Sequence, residues 1–172
     1  ASRATWGDVN NSTGWIYGYG EEDWFTSATA IERTKAGISY CHEHNLTISA
    51  MGFGWCWDEG IGVDEMDAYL SATRAYMNYC ATHNIPTKVF FTTAPVDRYS
   101  GETAYNFYLR NEKIRDYVDT ISSAILFDYA DILCWDDNGV QTTETWNGHT
   151  FSNISDNSLN GDGTGHIGMN GA

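Results

Sequence analysis

Basic residues are scarce in this chain, and their scarcity excludes two classes of partner. Nine Lys and Arg residues stand against 23 Asp and Glu residues, which gives a formal net charge of −14. No Lys or Arg follows Arg115. Nucleic acids and anionic membrane surfaces are bound through clustered cationic side chains. We therefore expect neither a nucleic acid nor a membrane as a partner.

Long apolar runs and paired cysteine motifs are missing as well. No apolar stretch is long enough to span a membrane, and no signal peptide is present, so a secretory signal would already have been removed. None of the four Cys residues forms a C-x-x-C pair, which disfavours a zinc site, and we expect no metal and no cofactor. An even number of Cys in an acidic chain rich in Trp and Tyr is typical of a secreted protein with disulfides.

The composition is otherwise that of a globular protein. A hydrophobic fraction of 42% in 172 residues predicts one domain with a real core. The chain ends soon after a Gly-rich loop that carries His166, with apolar Ile167 and Met169 behind it. Such a loop normally leads into a helix that packs on the core. We therefore expect residues 1–172 to be a single α/β domain taken from a longer chain, and its oligomeric state cannot be read.

Helical and strand patterns alternate along the middle of the chain. Amphipathic periodicity predicts helices over residues 27–44, 64–83 and 103–122. Short apolar strands are predicted to follow them within residues 46–53, 85–93 and 124–133. Strands joined through helices are parallel, so the pattern predicts a three-layer α/β fold with a short parallel sheet. Residues 1–20 and 142–160 are predicted to be irregular.

Two helix ends have closely similar sequences. Residues 40–45 read Tyr-Cys-His-Glu-His-Asn and residues 79–84 read Tyr-Cys-Ala-Thr-His-Asn, each before an apolar strand. Histidine and asparagine suit the last helical turn and its cap. We interpret His42, His44 and His83 as structural caps.

The loops after the predicted strands hold most of the chemistry. In open α/β sheets, ligands bind beyond the carboxyl ends of the strands. His166 on its Gly-rich loop is the candidate general base, and Asp162 would orient it. Tryptophan rings stack on sugar faces, and carboxylates bind hydroxyl groups. The predicted substrate-binding residues in these loops are Gly54, Trp55, Trp57, Asp58, Asp97 and Trp135.

Five sequence blocks occur in one order that resembles the SGNH (GDSL-like) hydrolases of secreted bacterial proteins. They begin at Met51, Val89, Leu109, Ile125 and Gly165, and the most specific are Arg-Asn…Ile-Arg-Asp-Tyr and Leu-Phe-Asp-Tyr-Ala-Asp. The resemblance implies a flavodoxin-like α/β fold and a secreted or extracellular esterase. It also implies acetyl removal from polysaccharide by a Ser–His pair with Asp support, so a polysaccharide or small ester is the expected substrate.

The chain departs from the family pattern in three places. The strand that ends in the family's nucleophilic Ser lies upstream of the matched region, and Ser12 lacks the strand-to-helix turn of a nucleophile. The block around Gly54 lacks the family's oxyanion Asn. Asp162 precedes His166 by four residues where the family has three. The nucleophile is therefore not assigned, and a Cys56 thiol at a strand end is the alternative to a serine.

Other functions remain open from the sequence. A relative of the same fold could bind carbohydrate or serve a structural role without catalysis. Glycoside hydrolysis by two carboxylates is a further alternative, with candidates Asp58, Glu59, Asp97, Asp136 and Asp137. A Ca²⁺ site at residues 136–138 competes with a simple Asp-Asn-Gly turn, which we favour. If the strands before them are neighbours, Cys56 and Cys134 are the better disulfide pair.

Overall fold

The structure is a computed structural model of the chain. It describes residues 3–7, 14–18, 26–46, 48–53, 62–64, 66–94 and 99–159, and of residues 3–7 and 14–18 only the backbone. In these ranges the fold mixes helices with short strands, as the α/β prediction requires. The backbone divides into two compact units, Ala1–Gly52 with Ala68–Phe90, and Phe53–Asp67 with Phe91–Ala172. No helix in the described ranges is long and apolar enough to cross a membrane.

The described helices and strands follow one another in a mostly alternating order. They are β1 (Arg3–Gly7), β2 (Gly14–Gly18), α1 (Ala28–Glu43), β3 (Ala50–Met51), α2 (Met66–Thr82), β4 (Lys88–Val89), β5 (Phe91–Thr92), α3 (Gly101–Asp119), β6 (Leu126–Phe127), α4 (Tyr129–Leu133), β7 (Thr143–Trp146) and β8 (His149–Ser152), before a 3₁₀ turn at Asp156–Ser158. The three long helices lie within the predicted ranges, apart from two extra residues at the start of α3.

The first unit packs two helices around one parallel strand pair. β3 and β4 pair in parallel, with Ala50 opposite Lys88 and Met51 opposite Val89. The amphipathic periodicity predicted for α2 is seen in the burial of Leu70, Thr73 and Cys80 on one side of the helix. Its core contains Ile38, Ala72, Tyr76, Cys80, Ile85 and Val89. The parallel direction and the helical periodicity predicted for this part of the chain are confirmed.

The two similar helix ends fold in the same way. His44 Nδ1 hydrogen-bonds the carbonyl of Tyr40 at 2.8 Å, and His83 Nδ1 hydrogen-bonds that of Tyr79 at 2.9 Å. Each imidazole also lies against the ring of that tyrosine, with centroids 4.0 and 4.1 Å apart. The capping role predicted for these two histidines is confirmed.

Asparagine stops both helices through a left-handed residue. Asn45 and Asn84 each have φ of 56°, and the next amide donates back to the carbonyl of Cys41 or Cys80. We expect Asn84→Ala to lower the free energy of unfolding by about 1 kcal/mol, because a Cβ without a local hydrogen-bonding group is disfavoured there. Asn84→Gly should stay close to the wild type. Urea titrations of the Ala and Gly variants at Asn84, and of the same two variants at Asn45, measure these free energies. If the Ala and Gly variants lost equal stability, the explanation would be contradicted.

The second unit contains the other parallel pair. β5 and β6 pair with Phe91 opposite Leu126 and Thr92 opposite Phe127. The strand predicted over residues 124–133 is only partly right, because it ends at Phe127 and α4 follows. The side chain of Asp128 caps α4 by accepting the amide of Asp131 at 3.2 Å. An Asp at this position favours helix initiation over continued strand.

An antiparallel hairpin replaces the irregular segment predicted over residues 142–160. β7 and β8 pair through the two-residue turn Asn147-Gly148, both with positive φ. Asn-Gly is the strongest two-residue hairpin signal, because both positions tolerate positive φ. The irregular segment predicted over residues 1–20 is also wrong in part, since β1 and β2 pair antiparallel. More strand residues lie in these hairpins than in the parallel pairs, so a purely parallel sheet was an incomplete prediction.

Candidate functional site

Most of the site residues predicted from sequence lie outside the described residues. This applies to the catalytic pair His166 and Asp162, and to Gly54, Trp55, Trp57, Asp58 and Asp97. Trp135 is described, as are Asp136, Asp137 and Asn138. Among the described residues, the candidate site lies in the second unit, around β5, β6 and the elements that contact them.

A polar cluster joins the carboxyl ends of β5 and β6. Thr93 follows β5 and Asp128 follows β6, and the Thr93 hydroxyl donates to Asp128 Oδ1 at 3.0 Å. The same hydroxyl accepts the amide of Ala130 at 2.8 Å. These bonds fix the two strand ends against the first turn of α4. Ligands of α/β proteins bind at this edge of a sheet.

Arg115 of α3 completes the cluster. Its Nε and Nη2 donate to the two carboxylate oxygens of Asp128 at 2.7 and 2.8 Å, and its Nη1 donates to Glu112. Burial alone would raise the pKa of Asp128, but the hydrogen bonds and charge of Arg115 hold it below the ordinary value. For Arg115, burial alone would lower the pKa by disfavouring the charged form. Its hydrogen bonds to Asp128 and Glu112 outweigh burial and raise the pKa above the ordinary value. Both groups are ionised at neutral pH.

The geometry of Asp128 indicates positioning rather than proton transfer. Its Oδ1 accepts from Thr93, Arg115 and the Asp131 amide, and its Oδ2 accepts from Arg115. A carboxylate held by so many donors at a lowered pKa is a poor general base at neutral pH. The cluster therefore holds the two strand ends in place.

Asn111 fixes the residue at which the chain leaves β5. Its side chain is 1% exposed, and its Oδ1 accepts the amide of Ala94 at 2.9 Å. Its Nδ2 donates to the carbonyl of Ala94 at 3.2 Å. The amide side chain thus pairs with both backbone groups of Ala94, as a neighbouring strand would. In sequence, Ala94 directly precedes residues 95–98, which contain Asp97.

An open pocket lies beside this cluster. Its volume is about 440 Å³, and its lining includes Tyr108, Glu112 and Arg115 of α3, Asp131 of α4, Gln141, and Thr150 of β8. Burial and the neighbouring charge and hydrogen bond of Glu112 raise the pKa of Tyr108, so its hydroxyl remains protonated. The pocket therefore offers charged, amide and hydroxyl groups next to an aromatic ring.

Trp135, predicted to bind substrate, lies next to two pocket residues. Its side chain is 43% exposed, and its indole N–H donates to Asp131 Oδ1 at 3.3 Å. Its backbone forms an antiparallel bridge with Gln141. Sequence reasoning missed the lining residues that the hairpin provides, because Thr143, Thr150 and Ser152 belong to the segment predicted to be irregular. The Asn147-Gly148 turn was the signal that would have placed them.

Asp136, Asp137 and Asn138 form a turn. Asp136 Oδ1 accepts the amides of Asn138 at 2.9 Å and Val140 at 2.8 Å. The bond from Val140 is the main cause that lowers the pKa of Asp136. The described ranges contain no group of three or more His, Cys, Asp or Glu residues placed to hold a metal ion. The turn interpretation that we favoured from sequence agrees with this geometry.

Cys134 does not form the predicted bridge to Cys56 in the structure. It is a free thiol, 1% exposed, whose Sγ donates to the carbonyl of Ala130 at 3.0 Å. The thiol lies in a core cluster with Ala130, Leu133 and Ile154. Cys56 itself lies outside the described residues. The expected Cys56–Cys134 disulfide is thus not formed, because Cys134 points into the core behind α4.

The buried thiols give a direct chemical test. Cys41, Cys80 and Cys134 are free and buried, and burial raises the pKa of Cys134 to about 11. Because the thiolate is the reactive form, we expect these three to react with a thiol reagent only after denaturation. Labelling of the non-reduced protein with and without denaturant, read by mass spectrometry, checks this. A peptide containing Cys134 disulfide-linked to Cys56 would contradict it.

Comparison of the chain with protein-family models, with curated proteins and with solved structures finds no significant match in any of the three.

Proposed function

We propose that this chain is an SGNH-like esterase or deacetylase domain that acts on an extracellular carbohydrate ester. The proposal includes a flavodoxin-like arrangement of its helices and strands. The observation that carries it is the contact between Arg115 and Asp128. These residues come from the two sequence blocks that resemble the family most specifically, and they meet at the carboxyl ends of β5 and β6.

The surroundings of that contact support the same proposal. Phe53 accepts a hydrogen bond from Thr92 at 2.6 Å, and it directly precedes the Gly54–Asp58 loop in sequence. Ala94 directly precedes the segment with Asp97. Two loops predicted to bind substrate thus begin at residues held by hydrogen bonds near the end of β5. An active site needs such rigid support for the loops that carry its reacting groups.

The proposed chemistry is acyl transfer. His166 would take the proton from the nucleophile as it attacks the ester carbonyl, and would return it to the leaving sugar hydroxyl as that bond breaks. Water would then hydrolyse the acyl-enzyme by the same proton route. Asp162 would orient the imidazole. The nucleophile is not assigned among the residues of this chain.

Release of acetate from an acetylated polysaccharide tests the proposal. The complete gene product, incubated with acetylated xylan, should release acetate above the rate of the buffer alone. Chemically deacetylated xylan is the control and should yield none. A purified, folded gene product that releases no acetate from xylan or from a small acetyl ester would contradict the proposal.

The second candidate function is carbohydrate binding without catalysis. The open pocket with exposed Trp135 beside it favours this alternative, because it provides polar groups next to an aromatic surface. Retention of the protein by polysaccharide, together with no ester hydrolysis, would favour it.

A further inference from the structure

The β7–β8 hairpin and α3 form an aromatic surface that continues from the pocket. The ring of Tyr105 lies at its centre, with ring centroids at 4.9 Å from His149, 5.5 Å from Trp146 and 6.1 Å from Tyr108. Phe151 packs beneath, 5.4 Å from Tyr105 and 5.6 Å from Tyr108. Tyr105, Tyr108 and Trp146 are half-buried and His149 is exposed, so ring surface remains accessible.

The pocket at one end of this surface has a mixed set of polar groups. Glu112 and Asp131 provide carboxylate acceptors, Arg115 provides N–H donors, and Gln141 and Thr150 provide both kinds of group. Its volume of about 440 Å³ is within the range of roughly 300–1,000 Å³ found for small-molecule sites. A ligand that matches it must both donate and accept hydrogen bonds at several neighbouring positions.

The charges of the pocket side chains exclude one class of ligand. The pocket contains two carboxylates against one guanidinium, and Arg115 is already paired with Asp128 and Glu112. The chain as a whole carries a formal charge of −14. An anionic ligand such as a phosphate or a uronate would be repelled. Neutral sugars present adjacent hydroxyls to carboxylates and amides, and their C–H faces to aromatic rings.

We propose that this pocket and the aromatic surface beside it form a binding subsite for a neutral polysaccharide. The pocket would hold one sugar residue through Glu112, Asp131 and Gln141, and the chain would continue over Tyr105 and Trp146. The subsite rests on the proposed function for its ligand class, and it lies at residues other than the predicted catalytic pair. It would hold the polymer while ester chemistry takes place elsewhere on the chain.

Affinity electrophoresis in gels containing a soluble neutral polysaccharide tests the subsite without any ester turnover. The probes are soluble xylan and glucomannan, with polygalacturonate as the anionic comparison. We expect the complete gene product to be retarded by at least one neutral polymer and not by polygalacturonate. Asp131→Ala and Gln141→Ala should each weaken that binding about tenfold, as the loss of a hydrogen bond predicts.

Asp137→Ala is the matched control. Asp137 is exposed in the adjoining turn and is not among the lining residues, so its loss should leave the binding unchanged. Thermal unfolding of every variant separates lost binding from lost structure, and Gln141→Ala stands in if Asp131→Ala does not fold. The proposal is overturned if no neutral polymer retards the wild type, or if the folded pocket variants bind as the wild type does. Acetate release measured alongside reports separately on the esterase proposal.

Discussion

Replacing His166 by Ala is expected to lower ester hydrolysis by the complete gene product at least ~10²-fold, through loss of the general base. An ordinary imidazole has a pKa of about 6.5 and is mostly neutral at pH 7, which suits proton abstraction. The fall should appear in kcat more than in KM, because the imidazole acts on the transition state rather than on the bound sugar. Initial rates on a small acetyl ester measure it.

His42→Ala provides the matched control for that experiment. His42 is exposed in the last turn of α1, and removing its imidazole should leave hydrolysis unchanged. A His166→Ala protein that hydrolyses the acetyl ester at the wild-type rate would contradict the role of the Gly-rich loop. If that protein still bound neutral polysaccharide, carbohydrate binding without this chemistry would be the better interpretation.

The local fold could be predicted where one physical signal dominates. The helix ends at His44 and His83 follow from short-range bonds between an imidazole and the carbonyl four residues earlier. The parallel direction of β3 and β4 follows from the helix between them. In both cases the determining interaction is encoded within a short stretch of sequence, or in the connection itself.

The described site could not be predicted in the same way, because its contacts join distant parts of the chain. Arg115 and Asp128 were visible as members of two family-like blocks, but their pairing depends on how α3 packs against β5, the strand that pairs with β6. The pocket required the hairpin, whose Thr145 and Thr150 face one another at 2.9 Å. The strand pattern of this hairpin was not recognised, because its sequence is polar and rich in Asn and Thr, a composition typical of loops.

Asp128→Ala is expected to cause a large loss of stability, about 2–3 kcal/mol. It removes the bidentate pair with Arg115, the bond from Thr93 and the cap of α4. The expected loss is smaller than the roughly 3–5 kcal/mol that is lost when one partner of a fully buried ion pair is removed. The reason is that the Arg115 and Asp128 side chains remain 23% and 30% exposed, which screens their attraction. Urea unfolding at neutral pH measures it, and Asp116→Ala on the exposed face of α3 should stay within about 0.5 kcal/mol of the wild type.

The pH dependence of the unfolding free energy separates the contribution of the charge on Asp128 from that of its packing and capping. Its pKa is lowered in the folded protein, so its contribution is fully present above the ordinary value of about 4 and is lost as the pH falls through the folded value. Asp128→Asn keeps the size of the side chain but cannot ionise. The difference in unfolding free energy between the wild type and Asp128→Asn should therefore shrink as the pH falls below about 4. A difference that stays constant over that range would mean that packing and capping, rather than the ion pair with Arg115, hold the ends of β5 and β6 together.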